Sequence, residues 1–267
     1  MTRRAPELAV RDDSTRDPRA SHVRSSPSVD RLVSHVLTGG APVGLADELA
    51  GWMSSSRRFR TWVEAHRDKV RKKLRTPADA SALRDVRAEL AVAFTLLADR
   101  HIDLEWEAVG AQRGGPDFGI SYRRTQRLNL EVTRLRRRPD AEAIASVVTG
   151  KLRQLPPSAA NALVLVVDES PGEPNPAHEA LRWLRLRGDR RDEAFFATRS
   201  LSGSKEFNAR WRRLGGVFIW MERDNRIPVE LAIQPSAHIA LPPRAARAIL
   251  QALAAGTGAR PSQSLGV

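Results

Sequence analysis

Apolar residues change period along the chain, and each change predicts an element. From Leu45 to Leu74, the positions Leu45, Leu49, Trp52, Phe59, Trp62, Val63, Val70 and Leu74 fit two helices broken near "MSSSRR", the second strongly basic on its outer side. After the start signal "TPADAS", Leu83, Val86, Leu90, Phe94 and Leu97 form one stripe at helical spacing. The period then shortens. "DLEWEAV", "PDFGISY" and "RLNLEVTRL" read as strands, the first two separated by a Gly-rich turn. "RPDAEAIASVVTGKLRQL" returns to helical spacing, opened by Pro139-Asp140, with Ile144, Val147, Val148, Leu152 and Leu155 inward and a Pro-Pro stop. "NALVLVVD" is a continuous β-branched run, as expected of a strand covered on both faces. A helix around His178–Arg187, strands at "GVFIWME" and "PVELAIQ", and a helix at Pro243–Ala255 complete the chain. The order α-β-β-β-α-β with further elements predicts an α/β fold, a mixed sheet flanked by helices.

Composition refines this layout. Residues 1–44, rich in Arg, Asp, Ser, Pro and Gly without sustained periodicity, are expected to be a mostly disordered basic segment with a short helix near Ser28–Leu37; 256–267 read as a flexible tail. Between them, 45–255 read as a single α/β domain, and 41% hydrophobic residues suffice for its core. No internal repeat is visible.

Lys and Arg total 44 against 31 Asp and Glu, a formal net charge of +13, which attracts polyanions, nucleic acid first among them. A high-GC genome produces the same arginine-rich, lysine-poor composition, so the placement of the arginines matters more than their number. The absence of cysteine excludes disulfides, thiolate metal sites and cysteine nucleophiles, and fits a reducing, cytoplasmic setting. "MTRRAPELAVRDD" has a twin arginine without an apolar run behind it, and "ALVLVV" at 162–167 is too short to span a bilayer, so neither export nor membrane insertion is expected.

Candidate chemistry centres on residues 113–135, "RGGPDFGISYRRTQRLNLEVTRL". In an extended strand Asn129, Glu131, Thr133 and Leu135 point to one face, while Leu128, Leu130, Val132 and Arg134 point to the other. If "PDFGISY" pairs antiparallel with that strand, Asp117 comes near Glu131, and two converging carboxylates make an oxygen-rich site of the kind Mg2+ favours. Glu89, with Val86 before it and Val92 and Ala93 after it, borders the buried stripe of its helix. Lys151 and Gln154, three apart beside Val147 and Val148, can reach the same region as a phosphate-directed cation and amide.

These residues resemble the PD-(D/E)xK nuclease superfamily, the restriction-endonuclease-like fold. "AELAVAF" resembles its core helix with the acid Glu89, "GPDF" its Pro-Asp step with Asp117, "LEVT" its (D/E)xK strand with Glu131, and "GKLRQL" the helix that follows, with Lys151 and Gln154. The resemblance covers roughly residues 80–170, leaving 45–76 as an N-terminal helical addition and 171–255 as a C-terminal αβ extension. It implies Mg2+-dependent phosphodiester hydrolysis, with Mn2+ an accepted substitute: Asp117 and Glu131 hold the metal, Glu89 assists through water, and metal-bound water attacks phosphorus. One position departs from the pattern, because the lysine of the motif falls on Thr133, whose hydroxyl carries no positive charge. Lys151 is then the best candidate for a relocated cation, with Arg134 a poorer one on the opposite face; the other consequence of Thr133 is weak or absent catalysis.

Seven arginines and one acid, Glu131, lie between Arg123 and Arg138. Arg123, Arg124, Arg127, Arg134 and Arg136 are therefore expected on a phosphate backbone, with DNA the expected partner and a homodimer left open. Trp106 and Tyr122 are the aromatics placed to stack on bases. Each candidate also has a plainer reading: Asp117 as a turn residue, Glu131 as a solvent-face residue, Glu89 as a surface helix acid, and Lys151 as a last-turn lysine answering the helix dipole. The six scattered histidines lack zinc spacing, "SGSK" at 202–205 lacks companion motifs of a Ser-Lys hydrolase, and no phosphate-binding glycine loop is present.

Overall fold

Among the described residues five helices, rather than the four expected, precede the first strand in the computed structural model, which describes residues 27–38, 43–75, 79–107, 115–168, 175–199, 201–221 and 229–256. The expected disordered segment before residue 27 and the expected tail after residue 256 lie outside the described residues. The short helix anticipated near Ser28–Leu37 is α1 (Pro27–Val36), and α2 (Val43–Ser55) follows it. The break near "MSSSRR" is present: Ser56 caps α3 (Arg57–Ala65) by accepting from the Phe59 amide. A second break at His66 separates α3 from α4 (Arg67–Arg75). It leaves the apolar spacing almost untouched, so periodicity carried no sign of it.

Asp79 caps α5 (Ala80–Leu96), the helix that bears Glu89. The sheet contains β1 (Ile102–Trp106), β2 (Phe118–Tyr122), β3 (Gln126–Leu135), β4 (Asn161–Val167), β5 (Gly216–Trp220) and β6 (Glu230–Ile233), in spatial order identical to chain order. β1, β2 and β3 are antiparallel neighbours, β3, β4 and β5 are parallel, and β6 returns antiparallel. The parallel steps need crossovers. α6 (Ala141–Lys151) makes the first, and α7 (Pro176–Asp189), α8 (Glu193–Ala197) and α9 (Ser204–Trp211) make the second; α10 (Pro243–Ala255) is the last element among the described residues. α8 and α9 were not expected, because each is too short to show a repeating stripe.

Two apolar layers sandwich the sheet. Leu128, Leu130 and Val132 of β3 face α1–α5 and α10, whereas Leu135 faces α6–α9, so the two sides of β3 meet different helices. β4 is buried along its whole length, as its unbroken apolar run predicts. Asn161, fully buried at its start, donates to the carbonyls of Pro156, Ala159 and Arg213 and accepts from Asn129, which fixes the base of β3, β4 and two loops.

β1 is an edge strand. The bonds from Glu107 N to Asp117 O and from Arg123 N to His101 O put the odd-numbered residues on β2, so Ile102, Leu104 and Trp106 turn their backbone groups outward. The helical addition covers those carbonyls: Arg58 donates to Ile102 O (2.6 Å), Trp62 Nε1 to Leu104 O (2.9 Å) and Lys69 to Trp106 O (3.2 Å). Such cover blunts an edge against pairing with other chains. It also corrects the expectation for the two aromatics. Trp106 is 2% exposed and stacked on Trp62 at 5.1 Å, and Tyr122 is 8% exposed, so both are core residues rather than base-stacking platforms. Among the described residues no helix is long and apolar enough to cross a membrane.

Candidate active site

Pro116 has no amide hydrogen to extend the ladder, and regular pairing of β2 with β3 ends at Phe118 opposite Leu130. Asp117 takes the next place with its side chain: Oδ2 accepts from the Val132 amide at 2.8 Å. Its backbone carbonyl accepts from the Glu107 amide, also at 2.8 Å, which pins the residue between β1 and β3. Asp117 therefore sits where the hairpin register places a partner for Glu131.

Glu131 shares the α6 side of β3 with Thr133 and Leu135, as alternation predicts, and its side chain is only 3% exposed. Lys151, in the last turn of α6, donates to Oε1 at 2.7 Å, while the buried Oε2 has no hydrogen-bond partner. From the other side of the sheet comes Glu89 of α5, whose Oε2 accepts from Lys73 of α4 at 2.6 Å. The same ammonium group lies 3.6 Å from Glu107 Oε1 and 3.8 Å from Asp117 Oδ1, and 5.0 Å from the centre of the Trp106 ring.

Negative charge exceeds positive charge in this enclosed space. Burial, and then repulsion from Asp117, push Glu89 up to about 8 against the opposing pull of Lys73. Burial and Asp117 likewise push Glu131 up to about 7 despite Lys151. Burial raises Asp117 too, although Lys73, the Val132 amide and Lys151 oppose it. For Lys73 burial works downward, but Glu89, Asp117 and Glu107 together outweigh it and hold the ammonium charged. Such a site gains from taking up a proton or a cation.

The donor chemistry suits a hard divalent ion. Asp117 Oδ1 and Glu131 Oε2 are carboxylate oxygens outside any hydrogen bond to the backbone or to Lys151, the kind of ligand Mg2+ and Mn2+ take. As they stand, no three His, Cys, Asp or Glu side chains among the described residues form a ready-made ligand group. Asp117 and Glu131 are thus suitable in kind, with lysines as their present counter-charges.

The other anticipated residues divide by position. Gln154 lies in the 3-10 turn Leu152–Gln154 directly after Lys151, with a buried Oε1 that has no partner. Arg134 is on the α5 side, opposite Glu131, and is fixed between Asp85 (3.2 Å) and Asp168 (3.0 Å). Arg136 is exposed and bonded to Asp85 at 2.6 Å, one helical turn along α5 from Glu89. Arg123, Arg124 and Arg127 are exposed at the β2–β3 turn, the far end of the hairpin from Asp117. At roughly 3.3 Å per residue that is about 15–20 Å from the carboxylates. Residues 73 and 107 did not emerge from sequence reasoning. The signal for Lys73 was its place beside buried Leu74 and three residues after buried Val70, the same stripe-border position that singled out Glu89.

No protein-family model, curated protein or solved structure matches this chain.

Proposed function

We propose that the chain is a nuclease with a restriction-endonuclease-like core of the PD-(D/E)xK type, a hydrolase of phosphodiester bonds acting on DNA. The observation that carries this reading is the convergence of Glu89, Asp117 and Glu131, from three separate elements, at the gap where β2 stops pairing with β3. Asp117 and Glu131 would hold Mg2+, or Mn2+ in its place, and the bound ion would supply an activated water and charge neutralisation at phosphorus.

The chain's own groups divide the remaining work. Lys151, 2.7 Å from Glu131, brings to the site the positive charge that Thr133 lacks, and its post at the end of α6 suits it to stabilise charge developing on phosphate oxygens. Glu89 would hold or accept a proton through water, a role its raised pKa supports. Arg136 would contact the backbone near the scissile bond. Arg123, Arg124 and Arg127 would contact it about five nucleotides away, at roughly 3.4 Å of rise per nucleotide. A cytoplasmic setting belongs to the same reading, which leaves a homodimer open.

Thr133 favours a second reading, a catalytically impaired protein of this fold that binds nucleic acid. Cleavage of linear, circular and single-stranded DNA with Mg2+ or Mn2+ separates the two. The nuclease reading expects metal-dependent cutting that falls at least about 100-fold in Asp117→Ala and in Glu131→Ala, and markedly in Lys151→Ala. Salt-sensitive DNA binding without cutting by the wild type would select the second reading, and neither cutting nor binding would reject both.

A further inference from the structure

The helical addition contributes Lys73, a residue that the reaction outlined above does not use. One exposed carboxylate holds a lysine weakly. Lys73 is instead three-quarters buried, with Glu89, Glu107 and Asp117 all within 4 Å of its Nζ. Its helix is held in place by the bonds that α3 and α4 make to the outer edge of β1. The ammonium faces Asp117 Oδ1, the oxygen that the Val132 amide leaves uncommitted and the one a divalent ion would need. Two cations sharing that oxygen would repel one another strongly in a site shielded from water.

We infer that Lys73 is the resident counter-ion of the acidic site, a positioning residue that holds Glu89 and Asp117 together in the metal-free protein and leaves Asp117 when a divalent cation binds. This rests on the metal-site reading above. Its consequence is a reciprocal coupling, in which loading the site loosens one tie between the helical addition and the sheet, and strengthening that tie weakens loading. Lys73 is then a competitor that sets metal affinity, in contrast to Lys151, whose partner is Glu131.

Calorimetric titration of the full chain with MnCl2, and thermal melting in EDTA and in Mn2+, test this with no substrate present. Lys73→Gln should bind Mn2+ about 3–10-fold more tightly than the wild type, because its competitor is gone. It should melt lower in EDTA and recover more of its loss when Mn2+ is added. Arg67→Gln, which removes an exposed cation of the same helix, should match the wild type in Mn2+ affinity. Unchanged or weaker Mn2+ binding by Lys73→Gln, with the same melting deficit in EDTA and in Mn2+, would overturn the inference. Should Lys73→Gln fold in neither condition, Lys73→Arg decides: it keeps the charge and must bind Mn2+ no more tightly than the wild type, and tighter binding overturns the idea. If the wild type binds Mn2+ and Lys73→Gln equals it, only this inference fails; if no form binds Mn2+, the metal site fails with it.

Discussion

A carboxyl group whose pKa rises on folding binds its proton more tightly in the native chain than in the unfolded one. Glu89 rises to about 8 and Glu131 to about 7, so as pH climbs from about 4.5 the unfolded chain gives up these protons first. Native stability contributed by the two groups is therefore full below the ordinary carboxylate range and is lost as pH passes through 7 to 8. Melting in EDTA should show a falling Tm between pH 5 and pH 8, and Glu89→Gln, which cannot ionise, should flatten that decline. At Asp117 the side chain has a second duty as acceptor for Val132 N. Asp117→Asn should keep most of the stability, while Asp117→Ala should cost about 1–2 kcal/mol in urea unfolding, since it leaves a backbone donor unpaired. Glu89, Asp117 and Glu131 were legible as candidates in the sequence because strand alternation and helical stripes assign side chains to faces, whereas Glu107 was not. Lys73 was not, since its three acidic neighbours come from other elements, and periodicity within one helix does not reveal which elements meet. For the same reason the seven arginines could be counted but not sorted: Arg134 is consumed by Asp85 and Asp168, whereas Arg123 and Arg124 face solvent.

At the level of elements, the helical addition closes one edge of the sheet. Arg58 donates to the carbonyls of Leu97, Asp99 and Ile102 and so ties α3 to the turn between α5 and β1. Arg58→Ala is expected to lower stability by about 2–3 kcal/mol in urea unfolding, more than an ordinary surface arginine, because three acceptors lose one charged donor. Asn161→Ala should cost as much or more, since it removes an NH2 group shared among three carbonyls and the acceptor of the Asn129 amide from a buried site. The strands and the long helices were readable from period alone, and the antiparallel pairing of "PDFGISY" with "RLNLEVTRL" followed from their separation by one short loop. The division of the N-terminal helices at His66 was not readable, nor were α8 and α9. In these places local hydrogen bonding and packing of single aromatics such as Phe196 and Phe207 decide the structure, and such features have no period.

For the whole molecule, the formal charge of +13 predicts that any nucleic-acid binding weakens steeply with salt. Combined replacement of Arg123, Arg124 and Arg127 by alanine should weaken binding to a long duplex and reduce the salt slope by about one for each phosphate no longer neutralised. Binding to a duplex too short to reach the hairpin turn should change little, as fluorescence anisotropy at several salt concentrations would show. The six-stranded mixed sheet flanked by helices follows from the alternation of element types along the chain.

Because the strands stand in the sheet in the order in which they occur in the chain, each one meets a neighbour that has already been synthesised. A growing polypeptide can extend such a sheet from β1 outward, without holding a gap open for a strand still to come. The groups of the candidate site all precede β4 in the chain, whereas β5, β6 and the helices α7–α10 that pack on the sheet follow it.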